Sequence, residues 1–127
     1  MIKANELRIG NYVHVGEMLT APITSIIPEL CNAYEPVVLT PEILLACGFD
    51  IEPQKPKTWY KFFKREHDEN YSSVFIGQLD EDPSGMYYSG FSSPTSWVNI
   101  NNIYHLHQLQ NLYFALTGQE LTVNLPV

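Results

Sequence analysis

The residues of this 127-residue chain best suited to chemistry are His105 and His107, a His-x-His pair. On a strand that spacing points both imidazoles to one side and offers two ligands to a metal ion. The pair stands at the start of a helical pattern, where the rings should diverge, and His14 and His67 are remote in sequence. No metal site is therefore expected, and the histidines read as solvent-facing or hydrogen-bonding groups. Two acidic clusters, Glu66, Asp68, Glu69 and Asp80, Glu81, Asp82, could gather a cation or act as paired carboxylates. Neither has the spacing of a calcium loop, and both fall at turn positions, so they read as solvated hairpin tips. No G-x-S-x-G elbow is present, and neither Cys31 nor Cys47 has an evident histidine partner. Gly77, Gly85 and Gly90 form no phosphate-cradling pattern. No catalytic residue, cofactor or metal is assigned, and an enzyme would need a site assembled from dispersed residues.

Two stretches carry binding chemistry instead. In KPKTWYKFFKR, residues 55–65, the basic side chains of Lys55, Lys57, Lys61, Lys64 and Arg65 are interleaved with aromatics, the composition of a surface that holds phosphates and stacks bases. Strand alternation divides it: Trp59, Lys61, Phe63 and Arg65 share one face and Tyr60, Phe62 and Lys64 the other. Some of its aromatics must enter the core, which shrinks the usable stripe. The second stretch, SGMYYSGFSSPTSW, residues 84–97, concentrates aromatic, serine and glycine residues without a charge. Binding loops favour this mixture, because rigid rings give contact area at low entropy cost while Ser and Gly adapt around them. Tyr87, Tyr88, Phe91 and Trp97 are the candidate partner-binding residues. Alternation puts the two tyrosines on opposite faces, so one is expected to be buried, with the other and Phe91 largely exposed.

These residues need elements to hold them. From His105 to Gly118 the chain reads as one amphipathic helix, with Leu106, Leu109, Leu112, Tyr113 and Leu116 at helical spacing, the four leucines as its expected buried stripe and Gly118 as its stop. A shorter helix is predicted over LTPEILLACGF, with Thr40 as cap, Pro41 in the first turn and Gly48 closing. ELRIGNYVHV predicts a strand broken at Gly10 and Asn11, followed by a second over Leu19 to Ile27. Trp59–Lys64, Tyr71–Gln78, Met86–Ser89 and Trp97–Ile100, separated by three connections with turn chemistry, predict an antiparallel meander. Leu121, Val123 and Leu125 alternate as a last strand. The expected class is α+β: short N-terminal strands forming a small barrel or curled sheet, a short capped helix, and a meander with the C-terminal helix packed on it. Residues 1–127 are expected to form a single domain.

Bulk composition narrows the partners. A net charge of −7 argues against general affinity for nucleic acid or anionic membrane, although five of the seven basic residues lie between Lys55 and Arg65. The two cysteines read as buried free thiols. MIKANELRIG lacks the apolar core of a secretory leader, and no apolar run approaches the roughly 18 residues of a span, so a cytoplasmic setting without membrane contact is expected.

Taken in order, NELRIGNYV, LTPEILLACGF and HQLQNLYFALTGQEL resemble a family of small uncharacterised proteins of Bacteroides-type bacteria and their phages or mobile elements. The resemblance implies a cytoplasmic protein of phage or mobile-element origin, and brings no activity, cofactor or catalytic residue with it. The leading expectation is a non-catalytic interaction protein that binds a protein partner or self-associates. The alternative is a nucleic-acid accessory protein using residues 55–65.

Overall fold

A computed structural model describes residues 6–15, 19–24, 26, 34–53, 55–63, 71–78, 85–93 and 97–124. Strands β1 (Tyr12–Val15), β2 (Leu19–Pro22) and β3 (Tyr34–Glu35) precede helix α1 (Pro41–Ala46). There follow β4 (Asp50–Glu52), β5 (Lys55–Phe63), β6 (Ser72–Gly77), β7 (Tyr87–Ser92), β8 (Trp97–Ile103) and helix α2 (Leu106–Thr117). The class is α+β, as the sequence predicts. The N-terminal strands make an open three-stranded sheet in the order β2-β1-β3 and no closed barrel, while β4 to β8 form a five-stranded antiparallel meander.

Local chemistry fixes the helix ends. Thr40 Oγ1 accepts from the backbone N–H of Ile43 at 3.2 Å, and Pro41 occupies the first turn, where its missing N–H costs nothing. Gln108 Oε1 accepts from the backbone N–H groups of Tyr104 and His105 at 2.8 and 3.1 Å, tying down the start of α2. Gly118 ends α2 in the left-handed region, φ 73°, which a side chain would disfavour.

The main core lies between one face of the meander and the two helices. Trp59, Phe63, Val74, Ile76, Tyr87 and Ile103 from the sheet meet Leu44, Cys47 and Phe49 from the α1 region and Leu106, Leu109 and Tyr113 from α2. A smaller cluster, Leu7, Val13 and Ile23, lies under the N-terminal sheet. α2 joins the two regions with polar side chains. Buried Gln110 accepts from the backbone N–H of Tyr12 at 2.8 Å and donates to the carbonyl of Gly10 at 3.0 Å. Arg8 donates to Asn111 Oδ1 at 2.8 Å and pairs with Glu120 at 2.6 Å, its guanidinium 4.4 Å from the centre of the Phe114 ring.

Several expectations are corrected here. The buried stripe of α2 runs through Leu106, Leu109, Gln110, Tyr113 and Thr117, with Leu112 and Leu116 half-buried at its margins. The helix is rotated because it faces the N-terminal sheet through Gln110 as well as the meander. β3 and β4, of two and three residues, are too short to carry a periodic signal in the sequence. Residues 121–124 form no strand, although Leu121 is buried, and Leu125 lies outside the described residues. Among the described residues no helix is long and apolar enough to cross a membrane.

Candidate functional site

Register decides which side chains of the meander share its outer face, the one opposite the helices. Three transverse rows cross it from β5 to β8. Phe62, Ser73, Ser92 and Trp97 make the first row, Tyr60, Phe75, Gly90 and Asn99 the second, and Thr58, Gly77, Tyr88 and Asn102 the third. Ser73 and Ser92 lie in the middle of the first row with the most exposed rings of the face, Phe62 and Trp97, at its ends, and in the other two rows a glycine stands beside each inner ring, Phe75 or Tyr88, so the face is a trough. It encloses about 760 Å³, with Glu52 and Met86 completing its rim, a volume typical of ligand grooves.

The floor is built by close approach. A Cβ placed on Gly77 would strike the ring of Tyr88, and one on Gly90 would strike the ring of Phe75 and the carbonyl oxygen of Val98. Two rings therefore pass over two glycines, where a side chain would leave them no room. Phase along β8 matters too: the register shifts between Ser89 and Gly90, which restores Asn99 and Trp97 to the same face as Asn102 despite the odd spacing. The rings contact one another in a chain, Tyr88 to Phe75 at 6.3 Å and Phe75 to Trp97 at 6.1 Å between centroids. On the far margin Tyr60 and Phe62 meet edge to face at 5.1 Å. The Tyr88 hydroxyl reaches Thr58 Oγ1 at 3.3 Å.

Full burial of a phenylalanine side chain is worth about 1.5–3 kcal/mol. Most of that is unrealised at Phe62 and Trp97, 60% and 66% exposed. They belong to a contiguous face of rings, hydroxyls and amides whose lining, among the described residues, includes one carboxylate, Glu52, and no cation.

Of the four candidate partner-binding residues, Tyr88 and Trp97 come together in this trough. Tyr87 points the other way, buried edge-on against Trp59 with centroids 6.1 Å apart. Phe91 does not stand largely exposed as expected: it shares the inner face with Tyr87 and packs against Phe63 at 5.9 Å, half-buried. Alternation separates the two tyrosines as expected, and carried four positions on from Tyr87 it places Phe91 on that residue's inner face. The aromatics the sequence reading did not assign to a site, Tyr60, Phe62 and Phe75, have their signal in cross-strand register, which no single segment reveals.

The basic stretch is divided as well. Tyr60 and Phe62 face the trough, while Lys61 points inward and donates to the Cys47 carbonyl at 2.9 Å, its ammonium 5.3 Å from the Tyr113 ring centre. Burial lowers the Lys61 pKa and pushes the Cys47 thiol up to about 12, so that thiol is protonated at neutral pH and a poor nucleophile. Lys57 is exposed at the inner-face phase of β5. Lys64 and Arg65, both acidic clusters, His67 and Cys31 lie outside the described residues, as does the side chain of Lys55.

His105 and His107 do not diverge. His105 is the extended residue before α2, and the two rings stack with centroids 5.8 Å apart and planes 8° from parallel. His107 is buried, with neither ring nitrogen hydrogen-bonded among the described residues, and burial lowers its pKa below 6.5. Among the described residues no cluster of three or more His, Cys, Asp or Glu assembles. Comparison with protein-family models, curated proteins and solved structures gives no match for this chain.

Proposed function

We propose that the protein is a non-catalytic interaction protein that binds a protein partner through the outer face of its meander, in the setting of a phage or mobile element that the resemblance implies. One observation supports this above the others: five aromatic side chains from four strands converge on a trough whose described lining carries a single charged residue, Glu52, on the face opposite both helices. Interface cores are enriched in Tyr, Trp and Phe and depleted of charge. Tyr and Trp are also the residues that most often dominate binding energy when they fill a partner's pocket.

Photo-crosslinking tests the reading. A crosslinking residue is placed at Trp97, at Phe62, or at Leu45 on the exposed side of α1, and captured species are identified by mass spectrometry and sequencing in the native host. The expected result is one protein, or a second copy of this chain, captured from positions 97 and 62 and not from 45. The purified pair should re-form a complex that Trp97→Ala weakens. Recovery of nucleic acid from the trough positions, or an identical product spectrum from all three, overturns the proposal.

A further inference from the structure

We infer that the trough takes an extended, proline-rich segment of its protein partner, held by ring stacking and by side-chain hydrogen-bond donors. The inference rests on the reading of the outer face as the contact surface, and three features of the trough select this ligand.

The first is charge. Among the described residues the lining holds Glu52 and no cation, and the chain carries −7. Among those residues a nucleic-acid strand meets a carboxylate and no partner for its phosphates, whereas an uncharged peptide meets no such penalty.

The second is the polar set. An amphipathic helix satisfies its own backbone and lays an apolar stripe into a groove. Docked here, it would bury the hydroxyls of Ser73 and Ser92 and the amide of Asn99 against hydrocarbon, each at a desolvation cost. An extended chain instead offers free backbone carbonyls to those groups. Proline suits the site better than other residues because it presents a carbonyl and no N–H. Its partners need only donate, as the Asn99 amide, the serine hydroxyls, the Tyr60 hydroxyl and the Trp97 indole N–H all can. A β-strand ligand would bring N–H groups to a sheet face whose own backbone is committed to the ladder.

The third is shape. The margins on β5 and β8 are three strand spacings apart, roughly 14 Å, and the three rows span a similar length along the strands. A polyproline II segment rises ~3.1 Å per residue, so about four or five residues cross the trough. Proline rings are flat enough to lie between Phe62 and Trp97, and the preformed helix loses little entropy on docking.

The full chain is titrated, by calorimetry and by tryptophan fluorescence, with a Pro-Pro-x-Pro repeat peptide and its alanine-substituted counterpart of equal length. An amphipathic helical peptide, a single-stranded oligonucleotide and a neutral maltooligosaccharide complete the panel. Trp59 is buried and Trp97 exposed, so a ligand in the trough should move the emission of Trp97. The expected result is saturable binding of the proline peptide alone, insensitive to salt, weakened roughly tenfold or more by Trp97→Ala and unchanged by Leu45→Ala. Equal binding of the alanine peptide, or tighter binding of the helix, oligonucleotide or sugar, overturns the inference. The partner captured by crosslinking separates the two readings. If Trp97→Ala releases it but no proline peptide displaces it, the contact surface stands and the proline-rich ligand falls. If Trp97→Ala leaves capture intact, both fall.

Discussion

Gln110→Met tests how the N-terminal sheet is attached to the rest of the molecule. Methionine keeps the unbranched shape and approximate volume of glutamine, so the change removes hydrogen-bonding groups without opening a large cavity. Gln110 is 2% exposed and makes two bonds to main chain, one from the N–H of Tyr12 and one to the carbonyl of Gly10. Both backbone groups would then face a thioether. Leaving a buried donor or acceptor unsatisfied costs about 1–3 kcal/mol each, so the gross loss is ~2–6 kcal/mol. Burying a less polar side chain returns part of this, about 1–2 kcal/mol, which leaves a net cost of about 1–4 kcal/mol. A chain of this length has a stability of about 6–19 kcal/mol, so the variant should fold and be measurable. At a urea m value of about 2 kcal/mol/M, the midpoint should fall by roughly 0.5–2 M. Hydrogen exchange supplies the local readout: the Tyr12 amide should lose protection beyond the global loss, while amides in β6 lose only the global part. A midpoint shift under about 0.2 M, or uniform loss of protection across both sheets, would refute the view that Gln110 is a principal polar tie between them, beside those of Arg8 to Asn111 and Glu120.

Two further outcomes follow from burial. Leu109→Ala should cost about 2–5 kcal/mol, whereas Leu112→Ala, at a half-buried margin of α2, should cost less than half as much; equal losses in denaturant melts would mean that the buried face is misassigned. The pKa of His107 is lowered first by burial, then by the neighbouring His105, with Glu6 opposing; that of His105 is lowered by burial and the N-terminus, again against Glu6. The unfolded chain takes up these protons near pH 6.5 and the folded chain only at lower pH. Stability should therefore be undiminished above about pH 6.5, fall as pH drops from there toward the folded-state pKa values, and level off below them. His107→Leu should flatten that slope in urea melts run across the window. An unchanged slope, or stability that rises on acidification, would refute the assignment.

What the sequence made legible was whatever has a local cause. Thr40, Pro41 and Gly118 mark helix ends because a cap, a missing N–H and a left-handed turn are properties of one or two residues. The meander was readable because its connections carry turn chemistry, although β7 and β8 extend three residues past the expected ends at Ser89 and Ile100. The rotation of α2 was not readable, since hydrophobic spacing ranks Leu112 and Leu116 above Gln110 and Thr117. A buried glutamine betrays itself only when the backbone groups it satisfies, at Gly10 and Tyr12, are known to lie opposite.

The trough shows the same limit more sharply. Phe62, Ser73, Ser92 and Trp97 span thirty-six positions of sequence and become neighbours only through three successive registers. A shift of one residue in any of them would exchange the two faces beyond it. Strand alternation does separate Tyr87 from Tyr88 within β7. It cannot say that Phe75 will lie over Gly90, or that the shift between Ser89 and Gly90 will return Asn99 and Trp97 to the face of Tyr88. Those two facts turn a scatter of aromatic residues into a concave surface. For the same reason the contact hypothesis now depends on Trp97 and Phe62, one at each margin, and no longer on Phe91. Phe91→Ala is a packing variant against Phe63, so any loss of partner binding it caused would have to be separated from its effect on the core before it said anything about the trough.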